Sequence, residues 1–125
     1  MEKLIKDGTD ETPQVILDSE NNKFEISGKS MPEDSTAFYR PILEWLTQYA
    51  AAPNRETNFI LKMFYFNTSS SKLLLDVLFK IEEISQHGAV KIIWQYDIDD
   101  EDMLEAGKEY ANMVEVPFEF VSYVD

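Results

Sequence analysis

The chain has 125 residues, with 24 acidic against 11 basic side chains for a net charge of −13, and is 44% hydrophobic and 13% aromatic. That length suits one domain, residues 1–125, and the apolar fraction is enough to fill a single core. A surface this acidic repels phosphate backbones and anionic lipid heads, so neither nucleic acid nor a membrane is an expected partner. With no cysteine, disulfides, thiolate nucleophiles and Cys-ligated metals are excluded, and the single histidine, His87, leaves little for a proton relay. No metal and no cofactor are expected. The polar stretch from Met1 to Pro13 has neither a signal peptide's apolar centre nor a membrane span, which points to the cytoplasm.

Residues 1–13, with Gly8, Thr9, Thr12 and Pro13 among charges, read as a loosely ordered N-terminal arm. Gln14–Asp18 and Lys23–Gly28 read as two strands around an Asn21-Asn22 turn. Asp34 or Ser35 then caps a helix marked by Phe38, Ile42, Trp45, Leu46 and Tyr49 at helical spacing, running to about Ala51. Pro41 inside it predicts a kink or an irregular first turn. Asn58 to Phe66 is almost continuously apolar, the pattern of a central strand buried on both faces.

The next helix carries Leu74, Val77, Leu78, Ile81 and Ile84 on one face and stops at His87-Gly88. Val90–Tyr96 is a strand. The acidic run from Asp97 to Asp102 opens a third helix with inner face Met103, Ala106, Tyr110 and Met113, and Phe118–Val124 is a last strand. The order ββαβαβαβ predicts an α/β domain with a mixed, partly parallel sheet and helices packed on it.

Chemistry concentrates at the strand-to-helix junction Asn67-Thr68-Ser69-Ser70-Ser71-Lys72. Hydroxyls there meet unpaired backbone N–H groups and the positive end of the helix dipole. The plain reading makes Asn67 or Thr68 the N-cap, with serines in the first turn. The sharper one makes Thr68 a phosphorylation switch, since a phosphate would find N–H donors at the helix start and Lys72 one turn on. Ser69 to Lys72 also spells S-x-x-K, but the partner motifs of the serine hydrolases that use it are absent. The Asp97–Asp102 run lacks the glycine and distal glutamate of a calcium loop, and suits a helix first turn. No glycine-rich phosphate loop and no base paired with a nucleophile occur, so no enzyme activity is expected.

The junction resembles the N-T-S-S-x-K segment of the SiaC family of bacterial regulatory phosphoproteins, whose fold is like that of STAS domains and anti-anti-sigma factors. Gly8-Thr9 with Thr12-Pro13, Ile26-Ser27-Gly28, Glu44-Trp45-Leu46 and Asp100 to Gly107 extend the likeness over nearly the whole chain. The resemblance implies a single STAS-like domain acting without catalysis in a partner-switching pathway. A dedicated Ser/Thr kinase would phosphorylate Thr68 and a PP2C-type phosphatase would reverse it. The unphosphorylated form would bind a target such as a diguanylate cyclase, raising cyclic di-GMP and promoting biofilm. By the same resemblance Asn67, Ser69, Ser70, Ser71 and Lys72 would shape the phosphosite loop or touch partners. A small-ligand-binding STAS-like domain, with Thr68 only a helix N-cap, is the alternative.

Overall fold

The hairpin expected around Asn21-Asn22 is present in the computed structural model, which describes residues 1–125. Its strands are β2 (Gln14–Asp18) and β3 (Lys23–Ser30), paired antiparallel, and Asn22 takes the left-handed φ of 55° that asparagine tolerates in turns. Asp18 holds the turn by accepting hydrogen bonds from the Asn21 side chain and backbone at 2.8 and 3.2 Å. Those bonds draw its pKa below the usual carboxylate range.

The N-terminal stretch is not a loose arm. Leu4–Lys6 forms a further strand, β1, antiparallel to β2 with Leu4 opposite Leu17. Three ties explain this: the Trp45 indole donates to the Glu2 carbonyl at 2.7 Å, Thr9 and Thr12 close a turn, and Pro13 is buried. From the hairpin onward the predicted order stands: α1 (Ser35–Ala51), β4 (Glu56–Phe66), α2 (Thr68–Ile84), β5 (Ala89–Asp97), α3 (Glu101–Met113) and β6 (Phe118–Tyr123).

The six strands lie side by side in chain order, with β3, β4, β5 and β6 mutually parallel. Parallel neighbours joined by right-handed crossovers in unbroken succession send every helix to the same face. The burial pattern agrees: Phe24, Ile26, Phe59, Leu61, Met63, Ile92 and Trp94 are buried under the helices, while Glu25, Ile60, Lys62, Ile93 and Gln95 on the other face are only half-covered. The expectation that Asn58–Phe66 is buried on both faces is therefore corrected. Its apolar run is long because Phe64 and Tyr65 stand outward, each about half exposed, where the β3–β4 register slips after Gly28–Met63.

Asp34 caps α1, accepting from the Ala37 N–H at 3.0 Å. The helix runs without a break from Ser35 through Pro41, and its first turn is α-helical. The proline deprives only the carbonyl of exposed Ala37, which water can reach. The second helix ends at Ile84, three residues before His87. Gly88 follows with an ordinary φ and serves close approach, since a Cβ there would meet the Asn54 carbonyl at 2.6 Å. Asp100 caps α3, and Glu101 and Asp102 fill its first turn.

The inner face of α3 is not the expected Met103, Ala106, Tyr110 and Met113. The third helix buries Met103, Gly107 and Tyr110 against the sheet, whereas Ala106 is half-covered and Met113 is 55% exposed. Gly107 sets this roll. A Cβ there would lie 2.5 Å from Trp94 Nε1, so only glycine lets the helix sit on the indole. That indole donates to the Met103 carbonyl at 3.0 Å.

Candidate functional site

The sequence Asn67 to Lys72 lies where β4 gives way to α2, beside the ends of β3 and α1. Asn67 N–H continues the strand ladder to the Ser30 carbonyl at 3.0 Å, and its side chain turns to cap the helix, accepting from Ser70 N–H at 2.9 Å. Asn67 is thus the N-cap and Thr68 the first helical residue, so a role for Thr68 as cap is ruled out.

Two chains of hydroxyls fix this turn from beneath. Ser30 Oγ donates to Ser70 Oγ at 2.8 Å, which leaves the Tyr39 hydroxyl, 2.6 Å away, to donate to Ser30. All three residues are fully buried. Burial pushes the Tyr39 phenol up to about 12 despite its hydrogen bonds to Ser30 and Ser70, so it remains a neutral donor. Closer to the surface, Ser69 Oγ donates to Asn67 Oδ1 at 3.2 Å and pairs with Ser35 Oγ at 2.7 Å, joining the starts of α2 and α1. On the other side the Tyr110 hydroxyl donates to the Ser71 carbonyl at 2.7 Å, and burial raises that phenol to about 12 as well. Ser71 Oγ donates to the Thr68 carbonyl at 3.1 Å.

The four consecutive hydroxyls are thereby sorted. Ser70 is sealed in the core, Ser69 and Ser71 are engaged with neighbours, and Thr68 alone is exposed with its hydroxyl unpartnered. The N–H groups of Thr68 and Ser69 have no acceptor, as is usual for a first turn. Lys72, one turn on, is exposed and makes no ion pair. An added anion at Thr68 would meet free donors and an uncommitted ammonium.

Ser30, Ser35, Tyr39 and Tyr110 were not legible as site residues. The tyrosines fall on apolar stripes, and their only signal is that a buried phenol demands a polar partner. Ser30 lies two residues beyond the expected end of its strand. The acidic run turns its carboxylates to local backbone, Asp97 to Asp99 N–H and Asp100 to Met103 N–H, and no three of the chain's His, Asp or Glu side chains converge as metal ligands would. No helix is long and apolar enough to cross a membrane.

A family model described as SiaC family regulatory phosphoprotein matches residues 6–123. An uncharacterised protein of Pseudomonas aeruginosa is 31% identical over 119 residues, 94% of each chain. The crystal structure of apo-SiaC from Pseudomonas aeruginosa superposes with a TM-score of 0.86 at 28% identity, covering 98% of this chain and 100% of that one. The SiaC of a crystal structure of the diguanylate cyclase SiaD in complex with its activator SiaC, from the same organism, superposes at 0.88 with 29% identity, covering 96% and 99%.

Proposed function

The chain belongs to the SiaC family, and on that premise we propose that it is a non-catalytic cytoplasmic regulator switched by reversible phosphorylation of Thr68. In the bare form it binds and activates a diguanylate cyclase, as SiaC does SiaD, and so raises cyclic di-GMP and favours biofilm. A Ser/Thr kinase adds the phosphate and a PP2C-type phosphatase removes it. Asn67, Ser69, Ser70 and Ser71 hold the loop in shape, and Lys72 meets the phosphate.

One observation carries the reading: of the four hydroxyls at the helix start, only that of Thr68 is exposed and uncommitted. A phosphate there adds roughly −1.5 to −2 charge to a chain already at −13. It anchors on the Thr68 and Ser69 N–H groups, and a partner covering the helix start would have to strip it of water, which is strongly unfavourable. Modification therefore favours release.

The test has two parts. Phosphopeptide mapping of the chain purified from its native cells should place one phosphate on Thr68 and none on the adjoining serines. Thr68→Ala should retain a SiaD-type cyclase and stimulate its turnover, while Thr68→Glu should lose it. Equal binding by both variants, or phosphate on a serine with Thr68 bare, would refute the switch.

A further inference from the structure

With every helix on one side, the other face of the sheet has no layer over it. Its middle row crosses all six strands through Ile5, Ile16, Glu25, Ile60, Ile93 and Glu119, each opposite the next in register. Ile16, Ile60 and Ile93 are only half-covered, and Ile5, Phe64 and Val121 are 47%, 51% and 37% exposed. An apolar surface this continuous marks an interaction site.

Charge sets this face apart from the rest of the molecule. The middle row and the row on each side of it hold Lys23, Lys62 and Lys91 against Asp18, Glu25 and Glu119, so the face is neutral in a chain at −13. A basic partner would be drawn to the acidic surface elsewhere, and an anionic membrane finds no cationic excess here. Lys91 pairs with Glu119 at 3.4 Å. Glu25 and Lys62 stand one row apart on the central strands β3 and β4, and neither makes an ion pair; Lys62 Nζ rests 4.6 Å from the centre of the Tyr123 ring.

We propose that this face is covered by the same face of a second copy, about a twofold axis that runs along the strands between β3 and β4. That operation lays β3 of each copy over β4 of the other, and β2 over β5. Ile16 then meets Ile93, and Glu25 of each copy stands on the strand facing the other's Lys62, one row away and within side-chain reach. Facing sheets lie about 10 Å apart. The acidic helix layers remain outside them, about 30 Å apart and several Debye lengths from one another. Edge-to-edge pairing through β6 would instead set two acidic α3 helices side by side. Strands about 4.8 Å apart and about five residues long give a face of roughly 25 by 17 Å. That is near the lower limit of specific interfaces, so the dimer is weak, in the micromolar range. The inference goes beyond the regulatory reading and does not depend on it, because Thr68 lies on the helix side and stays open in both copies.

Sedimentation equilibrium on the intact chain tests this. The weight-average mass should rise from 14.5 kDa toward twice that value between about 1 µM and about 1 mM. Phe64→Lys, at an exposed position that does not endanger folding, should weaken the dimer about tenfold or more. Glu25→Lys and Lys62→Glu should each do the same, since like charges then face one another at both symmetry-related places. Mixed together, those two variants bring opposite signs together at both places and should dimerise again, a rescue that a merely structural role within one chain cannot give. Met113→Lys on the helix side and Thr68→Glu should change little.

A mass of 14.5 kDa at every concentration would overturn the proposal, as would a dimer indifferent to Lys62→Glu or a mixture that stays monomeric. A dimer lost with Ser122→Pro but kept with Phe64→Lys would assign association to the β6 edge instead. Co-sedimentation of a monomer with phosphatidylcholine vesicles, abolished by Phe64→Lys, would give the face to lipid. None of these outcomes bears on the Thr68 switch, which the cyclase capture tests separately.

Discussion

Replacing Gly107 by alanine sets two effects against each other. In an isolated helix the change stabilises by about 1 kcal/mol, because alanine loses less backbone freedom. Here the new methyl would stand 2.5 to 2.7 Å from three atoms of the Trp94 indole, a rigid ring fully inside the core. Ordinary carbon contacts begin near ~3.5 Å, so helix and ring must part by about 1 Å. Overpacking of this kind costs about 1–3 kcal/mol. The separation also lengthens the bond from the indole to the Met103 carbonyl, now 3.0 Å, in a dry site where its loss costs a further ~1–3 kcal/mol.

The balance is a destabilisation of about 1–5 kcal/mol, centred on ~3, or roughly 10 °C in Tm for a domain of this size. Thermal and urea unfolding followed by far-UV circular dichroism measure it, and Trp fluorescence reports the indole. A peptide spanning α3 alone should become more helical with the same substitution. If the whole domain's Tm holds or rises with Gly107→Ala, then α3 does not sit on Trp94 as described.

Three further predictions concern the junction. Ser70→Ala and Tyr39→Phe should each cost about 1–3 kcal/mol, and the double variant less than their sum by at least ~0.5 kcal/mol, because both act on one hydroxyl chain through Ser30; additive urea midpoints would break that chain apart. Asn67→Ala should cost about 1 kcal/mol while Asn67→Asp costs little, as both Asn and Asp accept from the Ser70 N–H; equal losses would deny the cap. An alkaline transition is also expected. The Tyr39 phenol is raised by burial from 10.0 to about 12, so the folded state keeps its proton where the unfolded state has lost it. Stability is intact below pH ~10 and falls by about 1.4 kcal/mol per unit as pH rises toward ~12, with Tyr110 acting in the same direction. Tyr39→Phe should flatten that slope in urea titrations; an unchanged slope would contradict the burial of its hydroxyl.

Helix positions and the order of elements along the chain from Gln14 onward were legible because hydrophobic spacing reports which face is covered. Phe38 to Tyr49 and Leu74 to Ile84 placed two helices to within a few residues, and Asp34 and Asn67 were among the caps expected for them. What spacing did not report was how each element sits against the next. Met113 repeats at helical distance from Ala106 and Tyr110, yet the bulk of Trp94 beneath Gly107 rolls the helix and leaves Met113 outside. Phe64 and Tyr65 look like core by type, but alternation sets Phe64 on the open face with Ile60 and Lys62, and the register slip after Met63 leaves Tyr65 exposed beside it. The first strand was hidden because it is only three residues long, and the tie beside it, from Trp45 to the Glu2 carbonyl, spans 43 positions. At the junction, the motif and the helix-start chemistry singled out Thr68, but only tertiary contacts distinguish its hydroxyl from three serines of similar type.

The unbroken strand order has a consequence for what this fold can hold. Open parallel sheets usually cradle nucleotides and coenzymes at the place where successive crossovers diverge to opposite faces and leave a cleft beyond the strand ends. With β3 to β6 laid down in sequence and every helix on one side, that divergence never occurs. The carboxyl ends of the parallel strands form a continuous ledge, and Thr68 stands on it in the open. A ledge offers little enclosure to a metabolite, but leaves Thr68 open to another macromolecule. Any two macromolecules that covered these few residues would exclude one another.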